Sequence, residues 1–225
     1  MKIVKEIAFS AASLLLACTA VTPLKADTIT PAKARNVVLV HGLFAECLNR
    51  APALILANVN YVKKVVFPLE ILPWVAAGSA LFHSAVSIAV LLSAQLVFQH
   101  ALTWTIVLLP VVLLPLLFAT MGLAWFLSSI GVYLRDIGQT IGILTTVLLF
   151  LSPVFYPVEA LPENYRILLL LNPLTPVIGD ARRVLIWGQA PDWVELMIYA
   201  WAGLVVAWLG FWWFQRTRRG FADVV

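Results

Sequence analysis

The side chains able to do chemistry are few in this 225-residue chain, and they gather in knots. Glu46 and Arg50 stand at an i,i+4 spacing, Lys63, Lys64 and Glu70 follow, and Arg135 adjoins Asp136. Arg182 and Arg183 lie beside Asp180, and Arg216, Arg218 and Arg219 close the chain. Between Ile71 and Leu134 there is no Asp, Glu, Lys or Arg. His83 lies inside that run with nothing acidic beside it in the sequence, so hydrogen-bonded packing is expected of it rather than a proton relay. Cys18 and Cys47 make neither a metal nor a disulfide pattern, and no Gly-rich Walker-type loop is present to cradle a nucleotide. The remaining chemistry is noncovalent: charges that fix the register of a docking surface, and arginines that could meet an anionic sugar or a lipid phosphate. The formal net charge of +4 is small. Its basic residues fall mostly at the ends of apolar runs, a signal of membrane topology rather than of nucleic-acid binding.

The elements that must position these groups are apolar. The chain is 62% hydrophobic and 12% charged, with a mean hydropathy of +0.97, and its charge is roughly half that of a soluble domain. An all-α polytopic membrane protein is expected. Spans of about 20 residues fit Trp74–Phe98, Trp104 to near Leu127, Ile137 to near Phe155, and Trp193–Phe214. The last places a tryptophan, Trp193 or Trp213, at each interface. Gly138 and Gly142 have GxxxG spacing and predict close packing within the chain. Pro162–Leu171 and Pro176–Trp187 predict two short helices, with Thr175 as an N-cap and Gly188 as a stop for the second. At about 15 to 18 Å each they cannot cross a core of roughly 30 Å, so they should dip in at the outer face and return.

The beginning of the chain differs in character. Residues 1–26 read as a signal-peptide-like leader, with Lys2 and Lys5 before the apolar Ile7–Val21 and Ala26 near a cleavage site. A lipoprotein box at Leu15–Cys18 and a short uncleaved anchor stay open as alternatives. Residues 27–44 read as a linker followed by a strand-like run, Val37–Val40. With His41-Gly42 after it, ARNVVLVHGLF resembles the leader and first strand of a secreted α/β-hydrolase. No Gly-x-Ser-x-Gly nucleophile turn follows, which counts against a hydrolase.

From residue 45 onward a second resemblance appears. ECLNRAPALI and NYVKKVVFPLEILP resemble the permease subunits of type-2 ABC exporters for polysaccharides, the group that exports O-antigen, capsule or teichoic acid chains. SSIGVYLRDIGQ, SPVFYPVEALPENYR, LNPLT, ARRVLIWG and the ending RGFADVV are similar to pieces of the same family. The resemblance implies an ATPase-docking segment at Glu46, Arg50, Tyr61, Lys63, Lys64, Phe67, Pro68 and Glu70, and a second cytoplasmic loop at Arg135 and Asp136. It implies an outer-face gate at Tyr156, Pro157, Asn172, Pro173, Arg182, Arg183 and Gly188. A glycan path at Trp201, Trp208 and Phe211 would let sugar rings slide past aromatic faces, with lipid contact an equal alternative. Lys63, Lys64 and Glu70 read on residue type alone as solvated topology signals.

What the family implies of function is a multi-pass subunit in the bacterial inner membrane with a cytoplasmic C-terminus. It would act as a homodimer with an ABC ATPase subunit that carries ATP and Mg, moving a lipid-linked polysaccharide outward among membrane lipids, with no nucleic acid and no catalysis in this chain. An ATP-independent membrane scaffold or channel remains the alternative. The resemblance also implies a truncated permease domain over 45–225 that lacks the family's first two spans, with reduced stability as a consequence. Since no stretch between the leader and Lys63 reads as a span, a leader that entered the export machinery would strand the docking segment outside.

Overall fold

The computed structural model describes residues 31–63, 67–99, 104–152 and 172–224, and every regular element among them is helical. The leader, Lys64, Tyr156, Pro157 and the first of the two short helices, Pro162–Leu171, lie outside the described residues.

Helix α1 (Pro31–Arg50) overturns the reading of Val37–Val40 as a strand. Leu39, Val40, Leu43, Phe44, Cys47, Leu48 and Ala51 are buried, and this i, i+3, i+4, i+7 spacing is one face of a helix. The stripe runs unbroken across the boundary between residues 44 and 45. A short β-branched run carries little intrinsic preference against burial on such a face. After Pro52 the chain turns at Leu54–Ile55, where Asn58 Nδ2 donates to Leu54 O at 2.8 Å. It resumes through a 3₁₀ turn into α2 (Val59–Lys63). Leu39–Ala53 and Leu56–Val62 together are long and apolar enough to cross a membrane, bent by 56° at the break. The expectation that nothing before Lys63 can span is therefore corrected. The proline, the two asparagines and the Glu46 and Arg50 charges break the linear hydropathy, whereas in space the apolar stripe continues through them.

A 3₁₀ turn at Leu69–Ile71 leads into α3 (Leu72–Gln99). Trp104–Leu108 then runs into α4 (Leu109–Tyr133), with proline at the helix start, where its missing N–H costs little, and Pro115 inside. After the turn Leu134–Asp136 come α5 (Ile137–Leu151), α6 (Thr175–Arg182), α7 (Trp193–Thr217) and α8 (Phe221–Val224). Among the described residues, three helices are long and apolar enough to span, and a fourth if the bent pair counts as one. The expected third span is different: α5 has 15 residues, about 22 Å of helix, and the rest of its expected length to Phe155 lies outside the described residues.

Helix α4 is the hub. It packs on α1, α3, α6 and most extensively on α7. The α4–α7 seam is made of glycines: a Cβ on Gly122 would overlap the Val206 backbone, one on Gly210 would overlap Gly122, and one on Gly203 would come within 2.7 Å of Pro115 O. Gly131 similarly admits the backbone of Pro52. Gly138 and Gly142, expected to pack closely, do not: the first only touches Pro52 Cβ at 3.9 Å and the second faces open space. Spacing alone could not distinguish the two sets, because a GxxxG face packs only where another helix lies against it.

Candidate functional site

The segment expected to dock, from Tyr61 to Glu70, is built around a proline and two aromatic rings. Tyr61 of α2 and Phe67 stack with centroids 4.8 Å apart. Tyr61 is 42% exposed and Pro68 is exposed beside it, so the pair forms a small projecting knob. Pro68 is extended, with φ −71° and ψ 95°, and this ends the loop and starts the turn into α3. Glu70 faces the other way. Its Oε2 accepts from Arg218 Nη1 at 3.1 Å, while its carbonyl accepts from Trp125 Nε1 at 3.1 Å. The C-terminal helix α8 touches α2, with Phe221 buried against Phe214 and Tyr133. The end of α7 is tied to α4 by Ser129 Oγ and Thr217 Oγ1 at 2.6 Å and by Tyr133 OH donating to Thr217 O at 3.2 Å.

Glu46 and Arg50 do not join this group. They pair with each other at 2.9 Å, as their spacing implied, but Glu46 Oε1 also lies 2.9 Å from His83 Nδ1 and Arg50 Nη1 donates to Ser79 Oγ at 3.1 Å. His83 is thirteen residues beyond Glu70, about 20 Å along the helix, so this clasp between α1 and α3 lies well away from the Glu70 turn, with Arg50 and His83 about half exposed. The expectation that nothing acidic accompanies His83 is corrected: its partner is 37 residues away and becomes visible once α1 is read as a helix antiparallel to α3. Replacing Glu46 by alanine should take away the carboxylate that Arg50 and His83 share and lower stability by about 0.5 to 1 kcal/mol, the scale of a partly exposed pair. Glu46→Gln, which keeps an acceptor, should lose less. Thermal midpoints of the two variants in one detergent check this order.

Arg135 and Asp136 are exposed in the turn between α4 and α5, where a short polar loop was expected. On the side of the short helices, Asn172 is 1% exposed and fully bonded. Its Nδ2 donates to Leu148 O at 3.1 Å and to Ser152 Oγ at 3.0 Å, and its Oδ1 accepts from Leu174 N at 3.0 Å. Pro173 follows in the turn that opens α6. Thr175 is not the N-cap: Leu174 holds that position with no side-chain cap, and Asn172 already supplies the acceptor for the turn. Arg182 ends α6. A single π turn, Arg183–Trp187, follows and stops at Gly188, whose left-handed φ of 62° suits a residue without Cβ. Arg183 Nη1 stands 3.8 Å from Asp180 and 3.7 Å from Asp192. Asp180 accepts from Asp192 N at 3.1 Å, and burial raises its carboxyl pKa above the ordinary value. Asp192 caps α7 by accepting from Val194 N and Glu195 N. The arginine therefore bridges α6 to the α7 cap, in line with pairing to acidic neighbours rather than with a free anion site.

The expected aromatic path divides. Phe211, 37% exposed, also lies edge-on to Trp125 of α4 with centroids 5.1 Å apart, whereas Trp201 and Trp208 are 72% and 66% exposed. They share a stripe with Met197, Ile198 and Leu204, all exposed, the apolar composition that a lipid-facing surface carries.

The sequence profile described as "ABC-2 type transporter" matches residues 37–185. The chain belongs to that family. The match begins at Val37, within the stretch read as hydrolase-like, and takes in the buried stripe of α1. The O-antigen export system permease protein RfbA of Myxococcus xanthus is 30% identical over 168 residues, covering 74% of this chain and 65% of that protein. An O-antigen export system permease protein RfbA of Klebsiella pneumoniae is 21% identical over 197 residues, covering 84% and 75%. The polysialic acid transport protein KpsM of Escherichia coli is 25% identical over 196 residues, covering 82% and 72%. This ABC-2 chain thus spans about two thirds to three quarters of the length of these relatives. It is a multi-pass membrane protein of the ABC-2 type transporter family.

Proposed function

We propose that this chain is the permease subunit of an ATP-driven exporter that moves a lipid-linked polysaccharide, of O-antigen or capsular type, across the bacterial inner membrane. The observation that carries the reading is the family match over residues 37–185 together with a 30% identical relative named for O-antigen export. ATP and Mg belong to a separate ABC ATPase subunit, and two copies of the permease form the path. Tyr61, Phe67 and Pro68 are the part of the chain that meets the ATPase. An exposed tyrosine stacked on a half-buried phenylalanine beside Pro68 suits a hot-spot contact, since such anchors dominate interface energy.

Orientation follows from charge. The Glu70–Arg218 pair brings the start of α3 and the end of α7 to one side. That side carries Lys63, Arg216, Arg218 and Arg219, which supports a cytoplasmic C-terminus by the positive-inside rule. ATP-driven closure of the partner would push on the knob and bias a two-state membrane body.

Co-expression with an ABC ATPase subunit of a polysaccharide exporter tests the reading. Tyr61→Ala should weaken retention of the ATPase about tenfold, the loss of one aromatic anchor. Equal retention by the parent and the variant would remove the knob from the interface. Single cysteines at Arg183 and Arg218 in a cysteine-free chain should label from outside and from inside respectively, and the reverse pattern would refute the orientation.

A further inference from the structure

The residue-by-residue resemblance groups Glu70 with the ATPase contacts, yet its carboxylate is engaged inside the permease. Glu70 ties three long helices together. It begins the turn into α3, its carbonyl holds the indole of Trp125 on α4 at 3.1 Å, and its side chain holds Arg218 at the end of α7 at 3.1 Å. Trp125 is 8% exposed and is wedged between Trp74 and Phe211 at 6.1 and 5.1 Å, so it has little freedom to move separately. Helices α4 and α7 are locked backbone to backbone along their glycine seam. Arg216 is directed elsewhere, over the Trp212 ring at 5.8 Å, leaving Arg218 as the cation that reaches across.

We propose that the Glu70–Arg218 ion pair, braced by the Trp125–Glu70 hydrogen bond, is the strut that passes displacement of the Tyr61–Phe67 knob to the rigid α4–α7 pair. This inference rests on the reading of the knob as the ATPase contact. Arg218 is then a positioning residue: it touches neither nucleotide nor cargo, and sets where the docking segment stands relative to the membrane helices. Pro68 makes the lever short, because its ring fixes φ between knob and turn. Without the ion pair the turn keeps its hydrogen bond to Trp125 but loses its tie to the end of α7, and part of the movement of the knob would be spent in bending the turn instead of moving α4 and α7.

The test uses the full chain in lipid nanodiscs with its co-expressed ATPase, comparing Arg218→Glu, Glu70→Arg and the double reversal. Arg218→Glu should still retain the ATPase, while permease-dependent hydrolysis of MgATP falls about fivefold, the scale of one partly exposed ion pair replaced by like charges. The double reversal should restore the rate to within about twofold, and Arg218→Lys should do the same, since a cation is kept. A double reversal no better than Arg218→Glu, or an Arg218→Glu rate equal to the parent's, would overturn the strut. A second readout needs no ATPase. Amide exchange across Leu69–Trp74 in the chain alone should quicken about threefold to fivefold in each single reversal and return in the double, by the same energy scale. Absence of that pattern also overturns the strut. If the parent itself fails to retain the ATPase, the reading of the knob falls, and the exchange pattern still decides the strut.

Discussion

Replacing Gly122 with alanine lowers the stability of the folded protein by about 3 kcal/mol, a cost at the upper end of overpacking because only backbone stands in the way. A Cβ at this position would fall on the carbonyl group and following nitrogen of Val206. A flexible side chain could swing aside, but these atoms belong to the hydrogen-bonded ladder of α7. The two helices must separate along the whole seam, and Gly203 and Gly210 lose their close approach with them. Membrane helices gain little from hydrophobic association with one another, so loss of backbone-to-backbone packing is not offset elsewhere. Gly142→Ala is the matched control. It faces open space and should be neutral or slightly stabilising, by up to about 1 kcal/mol from helix propensity. Thermal unfolding in one detergent, followed by monodispersity on size exclusion, separates the two. Equal midpoints for both variants would mean that the seam is not a close contact.

Asn172→Leu should cost about 2 to 4 kcal/mol, because a buried amide with its bonds all made is replaced by a group that makes none. Leu174 N loses the acceptor that shapes the start of α6, and the end of α5 loses its tie to the turn that opens α6. The effect should be local before it is global. Amide exchange at Leu174 and the first turn of α6 should rise well ahead of any change in α4, and Ser152→Ala, which removes one of the bonds, should cost only about 1 kcal/mol. If Asn172→Leu unfolds no more readily than Ser152→Ala, the staple is not what holds α6 in place.

Much of the architecture was legible in the order of the residues. The uncharged run from Ile71 to Leu134 required membrane helices, the proline and glycine at either end of 176–188 marked a short element with a definite stop, and the i,i+4 spacing of Glu46 and Arg50 predicted their pairing. The motifs from Tyr61 to Glu70 implied one docking segment, and the fold does bring two of its residues, Tyr61 and Phe67, into contact. These features are local: they depend on hydropathy over one span, on backbone dihedrals, or on one turn of helix.

The failures have a common physical origin. The α1 helix was divided because its Val-rich stretch suited a strand, although the stripe from Leu39 to Ala51 already had helical period, and a count of that period across residue 44 would have found it. No such signal existed for His83, whose carboxylate lies on another helix, or for Glu70, whose cation is 148 residues away. Nor could composition tell the glycines of the α4–α7 seam from Gly138 and Gly142, which have the more familiar spacing. By itself, then, the sequence determined that this is an all-helical membrane protein resembling type-2 ABC exporter permeases, and roughly where its long apolar helices lie. Which charges meet, which glycines touch, and which way Glu70 points were decided only by the tertiary structure, since each depends on the partner that a second helix places opposite, and the order of residues along one helix does not encode that partner.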